Sequence, residues 1–121
     1  MKDKPTKISI DGIDYVRADN QITTNADGLA YVVVRSRDSG CHAGYLHNRD
    51  GATVHLFHAR RLWYWVGASS LSQLAMEGVT APNDCKFPCV VPEITVIGVC
   101  EIIPATSACK TSIESVPVWK Q

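Results

Sequence analysis

Two adjacent arginines followed by three large rings, in the run Ala59-Arg60-Arg61-Leu62-Trp63-Tyr64-Trp65, have the types and spacing best suited to chemistry. Guanidinium forks pair phosphate or carboxylate, while flat rings stack on bases or accept a cation on their faces. Such a cluster grips a flat anionic ligand or anchors an interface, where Trp, Tyr and Arg dominate the hot spots. Arg35 and Tyr45 extend the set. The candidate ligand- or partner-binding residues are therefore Arg60, Arg61, Trp63, Tyr64, Trp65, Arg35 and Tyr45. In the competing reading the tryptophans are core and the arginines are their solvated neighbours.

Other chemistries have weaker signals. Cys85 and Cys89 form a Cys-x3-Cys pair that Cys41-His42 or His55-x-x-His58 would complete as a zinc site. The spacing is loose, no second cysteine pair exists, and buried thiols with surface imidazoles are the commoner fate of such residues. No metal ligand is assigned. A thiol hydrolase lacks any nucleophile motif, and Cys41 and His42 face opposite ways on a strand. The aspartates fall in turns, where they serve local hydrogen bonding. Glu93 and Glu101 are too far apart in sequence to share a proton. No glycine-rich phosphate loop occurs. We expect no catalytic residues, no cofactor and no enzyme activity.

Bulk properties narrow the class. The 121 residues suit one domain, and 45% hydrophobic with 20% charged residues suits a folded globule. Twelve basic and twelve acidic residues give zero formal charge, which disfavours duplex nucleic acid as a partner. The polar start Met1-Lys2-Asp3-Lys4-Pro5 leads into no apolar segment, and no stretch approaches the length of a membrane span. Five cysteines, an odd number, fit reduced thiols in a cytoplasm.

The elements that must position these residues are mostly strands. Lys7–Ile10 and Ile13–Val16 flank Asp11-Gly12, the strongest short hairpin signal. Residues 18–28 are polar and turn-rich and read as a surface linker. Leu29–Val34 reads as a strand covered on both faces. Cys41–His47 and Thr53–His58 form a second hairpin around Asn48-Arg49-Asp50-Gly51. If the strand stays regular, Val54, Leu56, His58 and Arg60 share one face against His55, Phe57, Ala59 and Arg61. Trp63–Trp65 then continues that arm after a bend or starts a new strand.

Ser70 with Gln73 makes a capping box, Leu71, Leu74 and Ala75 share a helical face, and Gly78 ends the helix. Prolines 82, 88 and 92 make 79–92 an irregular loop. Glu93–Ile103 is β-rich, with a bulge expected at Gly98. Thr106 or Ser107 opens a helix through Ser115. The expected fold is α+β, mainly β: a small antiparallel sheet or partly open barrel with two short helices. No βαβ rhythm supports a doubly wound nucleotide fold.

Several of these stretches resemble a family of short proteins from tailed bacteriophages and prophages. The match runs through Tyr31-Val-Val-Val-Arg35, Ser39-Gly-Cys-His-Ala-Gly-Tyr-Leu46 and the Arg-Arg-Leu-Trp-Tyr-Trp run. It continues through Ser69-Ser-Leu-Ser-Gln-Leu-Ala75, Cys85-Lys-Phe-Pro-Cys89, Glu101-Ile-Ile-Pro104 and Val116-Pro-Val-Trp119. It covers residues 29–119, and the family is uncharacterised. The resemblance implies a phage origin and a bacterial cytoplasm, and it transfers no catalytic residues. The expected function is that of an accessory binding protein in counter-defence. It would sequester a small nucleotide messenger or occupy a host defence protein, as a monomer or a homo-oligomer. The alternatives are a phage assembly protein and a small zinc- or thiol-dependent hydrolase.

Overall fold

The computed structural model describes residues 22–120 and the backbone of two short strands, Lys7–Ile10 (β1) and Ile13–Val16 (β2). These two pair antiparallel with Ile10 opposite Ile13, as the Asp-Gly signal predicts; the turn itself lies outside the described residues. Five further strands follow: Tyr31–Ser36 (β3), Gly40–Asp50 (β4), Thr53–Arg61 (β5), Val90–Val96 (β6) and Val99–Pro104 (β7). They form one antiparallel sheet in the order β6-β5-β4-β3-β7. Helices Leu71–Glu77 (α1) and Ser107–Ser115 (α2) complete the α+β architecture.

The sheet has two buried faces, and β3 shows why its apolar run is continuous. Tyr31 and Val33 join a core under the helices with Leu71, Leu74, Ala75, Phe87, Cys109 and Ile113. Val32 and Val34 point the other way, into a cluster with Val54, Leu56, Ala59 and Val96. Every member of that second cluster comes from the sheet itself, so the sheet must curl around it. The result is a partly open barrel. The run expected as one bulged strand, Glu93–Ile103, instead changes partners: Val96 pairs with Val54, while Val99 pairs with Ser36. Ile97 and Gly98 alone carry the chain between the two sheet edges, a reach of at most about 11 Å. Gly98 adopts φ 73° there, and Ser36 Oγ donates to Ile97 O at 2.7 Å to hold the corner.

The expected loop at 79–92 is shorter than its prolines imply, because β6 begins at Val90 and contains Pro92. The strand tolerates proline because it is an edge strand: it pairs only with β5, and Pro92 falls between the partnered Val91 and Glu93. In the stretch read as a linker, residues 22–28 make a turn tied to the sheet. Thr23 N donates to Ala105 O at 3.1 Å, and Tyr31 N donates to Thr23 O at 2.8 Å.

The capping box forms as the sequence dictates, with Gln73 N donating to Ser70 Oγ at 3.1 Å and Gly78 closing α1 at φ 79°. The α2 cap, Thr106, accepts from Cys109 N at 3.1 Å and donates to Met76 O at 2.6 Å. One hydroxyl thus starts one helix and holds the end of the other.

A bulge in β5 reassigns the candidate residues. Tyr45 lies opposite Phe57 and Ala43 opposite Arg60, so Gly44 alone faces both His58 and Ala59. His58 takes φ 50°, uncommon for a residue with a Cβ. Past the bulge the alternation reverses. Ala59 joins Val54 and Leu56 in the barrel cluster, and Arg60 swings to the helix-covered face, the opposite of what regular alternation predicts. Gly44 permits this approach: a Cβ there would sit 3.0 Å from Ala59 Cα and 3.1 Å from Phe57 O, both backbone atoms. Gly44→Ala should therefore lower stability by about 1–3 kcal/mol in urea unfolding. An unchanged midpoint would show that the bulge yields freely.

Candidate functional site

The arginine-aromatic run does not stay together. Arg60 is 4% exposed and donates Nε to Pro88 O at 2.8 Å, Nη1 to Ile113 O at 2.7 Å and Nη2 to Phe87 O at 3.1 Å. Its guanidinium also lies 5.5 Å from the Phe87 ring centroid. Burial, first of all, pulls its pKa below the ordinary value. Among the described residues this buried cation meets no carboxylate. Arg61 is partly buried on the opposite face and donates to Ser39 O at 2.6 Å.

Arg60 and the candidate Tyr45 line one cavity of about 320 Å³ between the sheet and α2. Tyr31 and His58 add polar groups from the strands. Val90, Ile113, Val116 and Val118 supply apolar walls, and Glu114 lies at the α2 side. The rings of Tyr31 and Tyr45 meet edge to face at 5.1 Å. Burial, first of all, raises the Tyr31 pKa, so its phenol keeps its proton and stays a donor. Glu114 is held by Lys110 at 3.1 Å, and that pairing leads the causes that raise the Lys110 pKa, with a hydrogen bond to Tyr45 contributing.

The rings separate from the arginines because the strand stops at Arg61. Trp63–Trp65 forms no strand; only Tyr64 makes an isolated bridge, to Lys86. Trp65 packs on the helix-covered core. Trp63 and Tyr64 are 57% and 47% exposed. Trp63 stacks on Trp119 at 5.0 Å with 6° between the planes. The Lys86 ammonium lies 5.6 Å from the Trp63 and Tyr64 centroids and 5.8 Å from that of Trp119. A stacked aromatic surface with one cation over it therefore meets solvent, with Trp119 half-buried. Arg35 is elsewhere, in an exposed cross-strand pair with Glu101 at 3.2 Å.

A family profile matches residues 29–113, described as a domain of unknown function, DUF6948. The chain belongs to the DUF6948 family. No curated protein and no solved structure matches it. The DUF6948 match takes in Tyr31, Tyr45, His58 and Arg60 and ends before Val116–Trp119. The floor of the cavity is thus family domain, while part of its rim and one ring of the stacked pair lie beyond the matched residues.

Two of the five thiols of this DUF6948 chain are held in the protonated form by burial. Burial pushes the Cys109 thiol up to about 12 and also raises Cys41. Thiolate, the reactive form, is disfavoured at both. Cys85 is buried with its sulfur 3.4 Å from Ala81 O, and Cys89 is exposed. Among the described residues no three His, Cys, Asp or Glu side chains gather as a metal site. Nor is any described helix long and apolar enough to cross a membrane.

His42 is the unexpected titratable group. It is 1% exposed, and neither ring nitrogen has a protein partner. Burial, then the Arg61 charge, lowers its pKa to about 4. An unfolded His42 would take a proton near pH 6.5, whereas the folded one resists until about 4. In that window the unfolded state binds more protons, so stability falls as pH drops from about 6.5 toward 4. His42→Leu should flatten this part of the stability–pH curve in urea unfolding at pH 7, 5.5 and 4. An unchanged slope would place the acid sensitivity elsewhere.

Sequence reasoning missed Tyr31, Glu114, Lys86 and Trp119 as site residues and weighed His58 only as a zinc ligand. Tyr31 reads only as part of an apolar strand. His58 depends on a bulge that no local motif announces. Lys86 and Trp119 come to Trp63 through the isolated bridges Tyr64↔Lys86 and Phe87↔Val118, which have no sequence signature.

Proposed function

We propose that this protein is a non-catalytic accessory protein that occupies a bacterial host protein in counter-defence, docking through the Trp63–Trp119 surface. The stacked tryptophan pair, with Trp63 exposed and Trp119 half-buried, carries the reading. Two indoles fixed face to face, beside Tyr64 and under the Lys86 ammonium, lose little conformational freedom on binding and offer a large apolar area. Such rings are the usual anchors of an interface. The resemblance to short phage and prophage proteins supports a bacterial cytoplasm as the setting. A small nucleotide messenger has less to support it. Arg60 spends three donors on its own backbone, and about 320 Å³ lies at the small end of ligand pockets.

The test compares the wild type with a Trp63→Ala/Trp119→Ala variant against a bacterial lysate, followed by reconstitution with the purified captured protein. The expected result is a stoichiometric complex weakened at least about 30-fold in the variant. Equal binding by both forms would remove the docking assignment. Stoichiometric presence in purified virions would replace counter-defence with an assembly role.

A further inference from the structure

The most unusual charge in the fold is Arg60, almost wholly buried and in no ion pair with any described carboxylate. Its three backbone bonds use Nε–H and one N–H on each terminal nitrogen. A guanidinium has five N–H donors, so one remains on each terminal nitrogen. Carbonyl dipoles help to solvate the charge but do not neutralise it. Burying an ion without a counter-charge is costly, and the cost falls when an anion arrives.

Arg60 lines the cavity together with the phenols of Tyr31 and Tyr45 and the imidazole of His58. The phenols can donate to the same anion. The one acidic group in the lining, Glu114, is paired by Lys110 at 3.1 Å, which leaves Arg60 as the charge of the cavity without an ion-pair partner. The remaining walls, Val90, Ile113, Val116 and Val118, are apolar. A donor-rich cationic floor under aliphatic walls is complementary to an amphipathic anion.

We propose that the cavity between the sheet and α2 binds a compact organic carboxylate, its anionic group on Arg60 and its apolar body against the valines. The site is separate from the tryptophan surface and does not depend on the docking role. About 320 Å³ suits a single ring or branched chain.

The experiment is titration of the purified full chain with phenylacetate, 3-phenylpropionate and isovalerate, followed by calorimetry and ligand-observed NMR. Phenylacetamide and acetate serve as controls. At least one of the three carboxylates should bind with Kd in the range of about 0.1–1 mM, the affinity expected of so few atoms. Phenylacetamide, which lacks the charge, and acetate, which lacks the body, should bind at least about tenfold more weakly. Val118 is 51% exposed, so Val118→Trp can fill the mouth without disturbing the core. It should abolish binding with an unchanged melting temperature. Trp63→Ala should leave binding intact. The proposal is overturned if none of the three carboxylates binds, if phenylacetamide binds as well as phenylacetate, or if Val118→Trp binds normally.

Discussion

Arg60→Ala should cost about 3–5 kcal/mol of folding stability, the largest loss expected from removing any described polar side chain. Three carbonyls, on Phe87, Pro88 and Ile113, each receive a charge-assisted bond from this one guanidinium. A hydrogen bond to a charged group contributes about 1.5–3 kcal/mol, and the three are not additive. Truncation would also strand these carbonyls away from water and open space beside the Phe87 ring. The bonds join β5 to the 87–88 loop and to the last turn of α2, so their loss loosens the whole helix-covered face. For a chain of this size the melting temperature should drop by about 10–20 °C.

Arg60→Lys should recover little, because an ammonium is a compact charge that cannot span three carbonyls as a planar fork does. Arg61→Ala, which removes one described bond at the opposite face, should cost less than about 1.5 kcal/mol. Thermal melts of the three variants check this ranking. A melting temperature within a few degrees of wild type for Arg60→Ala would mean that the three carbonyls are satisfied without it.

Adjacent arginines with opposite duties show where the sequence is readable and where it is not. Fold class follows from local signals: the Asp-Gly hairpin, the buried Tyr31–Val34 run, the Ser70–Gln73 capping box and the stop at Gly78. Each rests on residues within a few positions of one another, and each forms. The site rests on longer reach. Which face Arg60 occupies is decided by His58 at φ 50°, a bulge made possible by the missing Cβ of Gly44 on the neighbouring strand. Periodicity counted along β5 alone cannot contain that information, and one extra residue reverses every assignment after it. The change of partner at Ile97–Gly98 is similar: composition marks a break, but only curling of the sheet decides that β7 pairs with β3. The run from Arg60 to Trp65 is readable as important and unreadable as a cluster, since its members part to three different surroundings.

Phe87→Ala and Trp63→Ala put that parting to a quantitative test. Phe87 is fully buried, held among α1, α2 and the sheet, and its truncation should cost about 3–5 kcal/mol through lost transfer energy and the cavity left behind. Trp63 carries the larger ring, and would cost as much if it filled the core. At 57% exposure, and with one face covered by Trp119, it should cost less than about 1.5 kcal/mol. Phe87 also lies under the Arg60 guanidinium and lends it a carbonyl, so the Phe87→Ala/Arg60→Ala double variant should lose less than the sum of the singles. Trp63→Ala and Arg60→Ala share no described contact and should add. Urea unfolding of the three single and two double variants measures both couplings. If the Trp63 loss equals the Phe87 loss, the indole is part of the core, and the proposed docking surface loses its main anchor. If Phe87→Ala is mild and additive with Arg60→Ala, the helix-covered face holds together without the contact between ring and guanidinium.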